Sequence, residues 1–261
     1  MSTELIELDV QGLFAWITIC RPEKKNALSY AMWQRMRELV VFCEENPAIR
    51  YVIFRGEGRE AFSSGADIAE FGQVRFDESS ERAYDRAVQD VVWAIYTLHK
   101  VSVAMIYGFC VGGGAELAIA ADFRFAADTV KMGITPARLG IVYGPQETQM
   151  LVNLIGPSRA KDLLFTGRLI AADEALAMGL VDRVVPEENL ENQTLAYLAG
   201  IEKNVWPAVE SMKTVVNQLT FHPFVSPAEF EKLVEKAHLI PDYQERVRGF
   251  LRKSLTTRHE Q

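Results

Sequence analysis

The sequence predicts an α/β protein with a largely parallel sheet, and two observations support that fold class. Over the first hundred residues, short runs of strand character alternate with longer amphipathic stretches of helical spacing. Further along, the apolar run 103–106 leads into a glycine-rich turn, an apolar helix and another strand. That order is typical of crossover units in α/β folds. The length of 261 residues, with 49% apolar residues, fits one large domain or one domain with an appendage.

The predicted elements begin with a β-hairpin, because Leu5 to Val10 and Leu13 to Cys20 flank the turn Gln11-Gly12. Ser29 is the predicted N-cap of a helix whose apolar stripe starts at Met32. Next come a buried strand at 50–55, a loop at 56–67 and a long amphipathic helix at 79–99.

The second half begins with a strand at 103–106, a glycine turn at 107–114, a helix at 115–121 and a strand at 123–126. From Pro145 onward the sequence predicts mostly helices, the last of them near 187–203, 206–219, 226–237 and 243–255. The apolar stripes of this helical tail would be exposed if it stood alone. We therefore expect it to pack on the core or on a neighbouring subunit.

Composition excludes several classes of protein. The chain has 28 basic and 35 acidic residues, a net charge of −7, which argues against a sequence-independent nucleic-acid binder. Its three cysteines are widely spaced without a CxxC pair, so neither a disulfide framework nor a zinc site is predicted. The sequence contains neither a signal-peptide pattern nor a long uncharged apolar run. These features predict a soluble cytoplasmic protein that makes no contact with membranes.

Two glycine-rich segments invite a nucleotide-binding interpretation, and neither supports it well. Gly56 to Ala61 satisfies G-x-G-x-x-G/A, but the following residues continue as predicted loop instead of opening a helix. After Gly112-Gly113-Gly114 there is no Lys-Ser or Lys-Thr, as a phosphate-binding P-loop requires. The four histidines show no metal-ligand spacing and G-x-S-x-G is absent, so neither a metal site nor a Ser-His-Asp arrangement is predicted.

Glu116 follows the triple glycine at the start of an apolar helix. Two interpretations remain open. A carboxylate in a first turn can simply complement the helix dipole, and glycines can simply allow close packing. Alternatively, exposed amides beside a carboxylate can serve an acyl-group enzyme, as donors to a carbonyl oxygen and as an acid/base.

Two segments resemble the crotonase (enoyl-CoA hydratase/isomerase) superfamily. They are Phe62-Ser63-Ser64-Gly65-Ala66-Asp67-Ile68 and Gly108-Phe109-Cys110-Val111-Gly112-Gly113-Gly114-Ala115-Glu116-Leu117, and weaker likeness runs from Arg21-Pro22 to the terminal helix. The resemblance implies a spiral of ββα units with a helical trimerisation region, and hence a homotrimer or a dimer of trimers. It places a spiral core at residues 1–200 and a helical C-terminal subdomain at 201–261. The implied substrate is an acyl-CoA thioester, with no separate cofactor.

The resemblance also assigns site residues. The backbone amides of Ala66 and Gly113 fall on the oxyanion hole that stabilises a thioester enolate, and Glu116 falls on a catalytic glutamate. The CoA-binding residues implied are Ser64, Gly65, Ala66, Asp67, Ile68, Gly112, Gly113 and Thr135, with Lys24, Lys25 and Lys253 near the phosphates. Local lysines of this kind would reconcile an acidic protein with an anionic substrate.

One position departs from the family pattern. Hydratases of the family use a second glutamate, and Pro136 stands at that position in Thr135-Pro136-Ala137-Arg138-Leu139-Gly140. Together with Tyr143, and with Asp242-Tyr243-Gln244-Glu245 near the C-terminus, this pattern is similar to the methylmalonyl-CoA decarboxylase branch, although that branch carries histidine where Ala66 stands here. Tyr143 would then orient a substrate carboxylate as a neutral phenol.

Four functional hypotheses are therefore carried forward. The overall motifs favour a hydratase or isomerase that works with one glutamate. Pro136 and Tyr143 favour a malonyl-type decarboxylase. A non-catalytic acyl-CoA-binding protein would keep the fold after losing a catalytic glutamate, and a nucleotide-dependent oxidoreductase depends on the weak glycine fingerprint alone.

Overall fold

Two β-sheets and the helices that cover them organise residues 5–220, which together with Gly249 are the residues that the computed structural model describes. The strands are β1 (Ile6–Gln11), β2 (Phe14–Ile19), β3 (Tyr51–Gly56), β4 (Ala61–Ser63), β5 (Val101–Ile106), β6 (Phe109–Val111), β7 (Phe123–Ala127), β8 (Lys131–Gly133), β9 (Leu169–Ala171) and β10 (Arg183–Val185). The α-helices of this part are α1 (Tyr30–Glu45), α2 (Phe71–Val74), α3 (Glu78–Thr97), α4 (Gly113–Ala120), α5 (Pro145–Thr166), α6 (Ala172–Met178), α7 (Leu190–Ile201) and α8 (Trp206–Thr220).

The larger sheet has six strands in the order β1-β2-β3-β5-β7-β10. Its first pair is the antiparallel hairpin, in which Gly12 takes the left-handed conformation (φ 61°), and all its other pairs are parallel. Every residue of the central strand β5 is buried. A strand that is buried on both faces has a continuous run of apolar residues, so β5 was recognisable from the sequence.

The smaller sheet has four strands in the order β4-β6-β8-β9. Three of its strands follow a strand of the larger sheet directly in the chain: β4 follows β3, β6 follows β5, and β8 follows β7. A helix comes after each pair, so the chain repeats a strand–strand–helix unit. This arrangement agrees with the predicted spiral of ββα units.

Several local predictions were wrong. The predicted loop 56–67 contains β4, the predicted glycine turn contains β6, and the region predicted as mostly helical contains β9 and β10. Each of these strands has only three residues, too few for an alternating pattern to be recognised. Because Gly56 to Ala61 leads into β4 and not into a helix, the dinucleotide interpretation lacks the helix N-terminus that it needs.

Most of the helical tail lies beyond the described residues. Its first helix, α8, packs beside α3, where Lys213 Nζ donates to the backbone oxygen of Lys100 at 2.7 Å and pairs with Asp122 at 2.8 Å. The helices predicted near 226–237 and 243–255, and Asp242-Tyr243-Gln244-Glu245, lie outside the described residues. The division at residue 200 therefore stays a prediction. No helix in the described part is long and apolar enough to cross a membrane.

Candidate active site

A cavity of about 640 Å³ opens where the segment 64–66 approaches the segment 112–113. Its walls come from the turn after β4, the start of α4, the 3-10 turn Pro136–Leu139 and the beginning of α5. Trp33, Phe71 and Tyr84 close the inner side with aromatic surface. The cavity is thus a mostly apolar cleft with a few polar groups, as expected for a small-molecule site.

Ala66 and Gly113, whose backbone amides are the predicted oxyanion donors, both line this cavity. Around Ala66, Leu28 N donates to the carbonyl of Gly65 and Asp67 N donates to the carbonyl of Leu28, both at 2.8 Å. Successive amides of an extended segment point in opposite directions, so the Ala66 amide faces away from Leu28. Gly113 is the first residue of α4, where N–H groups have no intrahelical acceptor.

Close approach of the two segments explains glycine at two positions. Gly65 has φ +95°, and a Cβ there would lie 3.1 Å from Gly113 N and 2.8 Å from the carbonyl oxygen of Val111. A Cβ on Gly113 would lie 2.9 Å from the ring of Trp33, which is fully buried. Trp33 is held in place because its Nε1 donates to Tyr84 Oη at 3.1 Å. Without side chains at these glycines, the two amides can share one site.

Glu116 lies in α4 and lines the cavity, only 7% exposed. Burial raises the pKa of its carboxyl well above the ordinary range, and the nearby carboxyls of Glu147 and Asp85 raise it further. A group whose only task was to complement a helix dipole would have a lowered pKa. Both effects favour the protonated form of Glu116, the form that a proton donor needs.

Glu147 is a second buried glutamate, and the sequence analysis missed it. It stands in the first turn of α5, lines the same cavity and is 5% exposed. Burial raises the pKa of the Glu147 carboxyl to about 7, and the charge of Asp85 also raises it. The hydrogen bond from the residue's own backbone N–H acts in the opposite direction and lowers the pKa. Oε2 of Glu147 has no hydrogen-bonding partner among the described residues. In the sequence it looks like an ordinary acidic residue after Gly144-Pro145, so no pattern distinguished it.

Tyr143 lines the same cavity as the two glutamates. Its hydroxyl oxygen is buried and, within the described part of the chain, bonds to no partner. Burial raises the phenol pKa well above its ordinary value, and the negative charges of Glu116 and Glu147 raise it further. Tyr143 is therefore a neutral phenol.

Helix α3, which packs against α4, carries a further acidic side chain that lines the cavity. Asp85 in α3 forms an ion pair with Arg75, whose side chain is 2% exposed and stacks on the rings of Phe71 and Tyr84. Asp85 and Arg75 both line the cavity, and neither was predicted. The cavity end near Glu116 and Glu147 thus contains one more carboxylate, already matched by a cation.

The other predicted site residues divide into two groups. The structure brings six of them to the cavity wall together with Gly113 and Glu116: Ser64, Gly65, Ala66, Ile68, Gly112 and Thr135. Lys24, Lys25 and Asp67 are not among the lining residues. Lys253 lies outside the described residues.

Asp67 and the two lysines have other partners. Asp67 pairs with Lys24 Nζ and with Arg21, both at 2.9 Å. Burial alone would raise the pKa of Asp67, but the hydrogen bond from Lys24 and the charges of Arg21 and Lys24 outweigh it, so the pKa is lowered. Lys25 pairs with Glu60 at 3.1 Å. In this structure Asp67 and Lys24 tie the Ala66 turn to the segment after β2.

Sequence comparison identifies a family for this architecture. Residues 10–253 match the family model described as enoyl-CoA hydratase/isomerase. The chain is 35% identical over 218 residues to a crotonyl-CoA hydratase of Syntrophomonas wolfei, covering 84% of this chain and 83% of the relative. It is 34% identical over 218 residues to a short-chain-enoyl-CoA hydratase of Clostridium acetobutylicum, with the same coverage.

Solved structures agree with the sequence comparison. An enoyl-CoA hydratase/carnithine racemase from Magnetospirillum magneticum superposes with a TM-score of 0.81 at 32% identity, covering 97% of this chain and 94% of that chain. An enoyl-CoA hydratase from Bacillus anthracis gives 0.78 at 31% identity, with 96% and 97% covered. The α/β architecture described above is therefore that of these proteins.

Proposed function

The chain belongs to the enoyl-CoA hydratase/isomerase family of acyl-CoA-transforming enzymes, and we propose that it adds water across the double bond of an enoyl-CoA thioester. The observation that carries this proposal is the convergence of the Ala66 and Gly113 amides beside buried Glu116 in one cavity. Those are the groups that a reaction through a thioester enolate needs.

The two amides are the proposed oxyanion hole. When a nucleophile adds to the β-carbon of an enoyl thioester, negative charge moves to the thioester oxygen. Preorganised N–H groups stabilise that charge without having to reorient, and one such donor is worth roughly 3–4 kcal/mol. Gly65 allows this arrangement because a side chain there would clash with Val111 and Gly113, and Gly113 allows it because a side chain there would clash with the Trp33 ring.

Glu116 is the proposed proton donor. Hydration forms a bond between water oxygen and the β-carbon, breaks the carbon–carbon π bond and adds a proton at the α-carbon. Burial and the nearby carboxyls raise the pKa of Glu116, which favours its protonated form. Glu116 stands in the same helix as the Gly113 amide. One substrate can therefore place its thioester oxygen near the amide and its α-carbon near the carboxyl.

A short acyl group is the proposed substrate. The named relatives are crotonyl-CoA and short-chain-enoyl-CoA hydratases. In this chain Trp33, Phe71 and Tyr84 line the cavity with aromatic surface, and Phe71 and Tyr84 pack edge to face at 5.5 Å. Ser64, Ile68 and Thr135 also line the cavity and are proposed for the CoA arm.

The decarboxylase hypothesis is weakened by the site's charge. It was motivated by the loss of a glutamate at Pro136, since two carboxylates would repel a malonyl carboxylate. The structure places Glu147 in the cavity with Glu116, and Asp85 lines it too. Asp85 is paired with Arg75 and the raised pKa of Glu116 favours its protonated form, so Glu147 is the carboxyl that most disfavours a second carboxylate on the substrate. The buried Tyr143 hydroxyl is the observation that still favours decarboxylation.

The remaining expectations follow from the family. We propose a cytoplasmic homotrimer, or a dimer of trimers, that uses CoA thioesters without another cofactor. Lys253 stays a proposed phosphate contact.

The experiment is turnover of crotonyl-CoA by the wild type and Glu116→Gln, followed by loss of the enoyl-thioester absorbance. Loss of an acid/base group lowers kcat about 10²- to 10⁴-fold. Glu45→Gln, an exposed glutamate at the end of α1, is the matched control and should keep full activity. Methylmalonyl-CoA is tested in parallel. Carbon dioxide release from it without hydration of crotonyl-CoA would establish the decarboxylase instead.

A further inference from the structure

We propose that Glu147 is the second proton-transfer carboxylate of this site and takes the role for which the family pattern has a glutamate where Pro136 stands. This inference rests on the proposed hydratase function. Pro136 cannot hold or release a proton, so the second proton transfer of hydration needs another residue.

The two glutamates reach the same space from different elements. Glu116 comes from α4 and Glu147 from α5, and both line the large cavity. Both also border a smaller space beneath it, together with Tyr143 and five apolar side chains. These are Val92, Ile119, Ile134, Met150 and Leu151. Burying an unpaired polar group among apolar residues costs free energy. The gathering of two carboxyls and one phenol in this space is therefore a distinct feature of the fold.

The position of Glu147 is not explained by helix capping alone. An acidic side chain in a first turn is normally solvated or bonded back to the N-cap amide. Glu147 is instead buried, and its Oε2 is without a partner among the described residues. That oxygen lies over Gly144, where a Cβ would come within 2.1 Å of it, and the same Cβ would be 2.9 Å from Gln89 Nε2. Gly144 thus leaves open the space that the carboxylate occupies at the cavity wall.

The pair supplies both proton transfers of hydration. Glu147, as carboxylate, accepts a proton from water while the water oxygen bonds to the β-carbon. Glu116, as carboxylic acid, gives its proton to the α-carbon as the π electrons move there through the thioester enolate. One proton enters the pair and one leaves it, so the reaction balances to the addition of one water. Proton return from Glu147 to Glu116 restores the starting state.

The neighbours of Glu147 set its protonation. Glu116 faces it from α4, Asp85 from α3, and Tyr143 from the preceding turn, while Arg75 is paired with Asp85. Two carboxyls that border one buried space resist double ionisation, which favours a single proton on the pair. Burial and the charge of Glu147 raise the pKa of Glu116 well above its ordinary value, so the proton is favoured on Glu116. We therefore expect kcat to rise as the pH increases through about 7.

The test compares the wild type, Glu147→Gln, Glu116→Gln and the double variant on crotonyl-CoA across pH. Glu147→Gln should lower kcat about 10²-fold or more, with KM changed little, and should abolish the rise through neutral pH. The kcat of the double variant should lie within a few-fold of the kcat of the slower single variant, because the two groups act as a unit. Glu191→Gln, an exposed first-turn glutamate of α7, is the matched control.

Glu147→Asp separates chemistry from packing. It keeps a carboxylate on a shorter side chain and should recover at least about tenfold of the activity lost in Glu147→Gln, as expected for partial acid/base function. The proposal is overturned if Glu147→Gln keeps kcat and the pH profile of the wild type, or if Glu147→Asp is as inactive as Glu147→Gln. A wild type that hydrates no enoyl-CoA would instead overturn the proposed function itself.

Discussion

Replacing Glu147 by glutamine should change the pH dependence of folding stability. The pKa of Glu147 is raised from 4.5 to about 7 by burial. A carboxyl whose pKa is higher in the folded state contributes stability below its unfolded pKa, and that stability is lost as the pH rises through about 7. Each tenfold in proton affinity is worth about 1.4 kcal/mol, so the folded protein loses about 2–3 kcal/mol between pH 5 and pH 8.5. Glutamine does not ionise and escapes this loss.

Urea unfolding followed by tryptophan fluorescence measures the effect. The wild type and Glu147→Gln are compared at pH 5 and at pH 8.5, and the difference between the two proteins should shift by about 2–3 kcal/mol in favour of the variant at the higher pH. Any constant cost of burying the amide cancels in that comparison. The surface variant Glu191→Gln should show no such shift. An equal effect of Glu147→Gln at both pH values would refute the reasoning.

Three further substitutions test other parts of the structure. Gly113→Ala places a methyl group 2.9 Å from the Trp33 ring, so kcat for crotonyl-CoA should fall about 10²- to 10³-fold; wild-type turnover would contradict the assigned donor. Asn26→Ala removes a buried donor to the Ala61 carbonyl (2.7 Å) and should cost about 3 kcal/mol in urea unfolding; a cost below about 1 kcal/mol would count against it. Tyr143→Phe removes an unpartnered buried hydroxyl, so unfolding free energy should stay equal or rise by about 1 kcal/mol; clear destabilisation would show that the hydroxyl has a partner.

The main frame of the fold was predictable because its long elements have strong patterns. The hairpin at Gly12, the Ser29 cap and the buried run of β5 were all recognisable, and each lies within a residue or two of the predicted place. The five three-residue strands β4, β6, β8, β9 and β10 were not recognisable. They form by pairing with distant segments, such as Ala61 with Phe109, and local pattern does not report such pairing.

The site was predicted in part for a similar reason. Ala66, Gly113 and Glu116 stand in motifs whose glycines and spacing are visible in the sequence, and the structure brings them to one cavity. Glu147 and Asp85 become site residues only because α5 and α3 pack against α4. The expectation that Lys24 and Lys25 serve the ligand could not anticipate Asp67 and Glu60, which pair with them here. Charge alone does not specify a partner.

The most direct measurement is the proton NMR spectrum of crotonyl-CoA incubated with the wild-type protein in deuterated water. Hydration through the site predicts loss of the vinyl proton signals and formation of a 3-hydroxyacyl-CoA that carries one deuterium at the α-carbon. The same spectrum recorded with Glu116→Gln should remain that of the substrate over the same time. Unchanged crotonyl-CoA with the wild type, or equal hydration by the variant, would contradict the account of an enolate formed beside Ala66, Gly113 and Glu116.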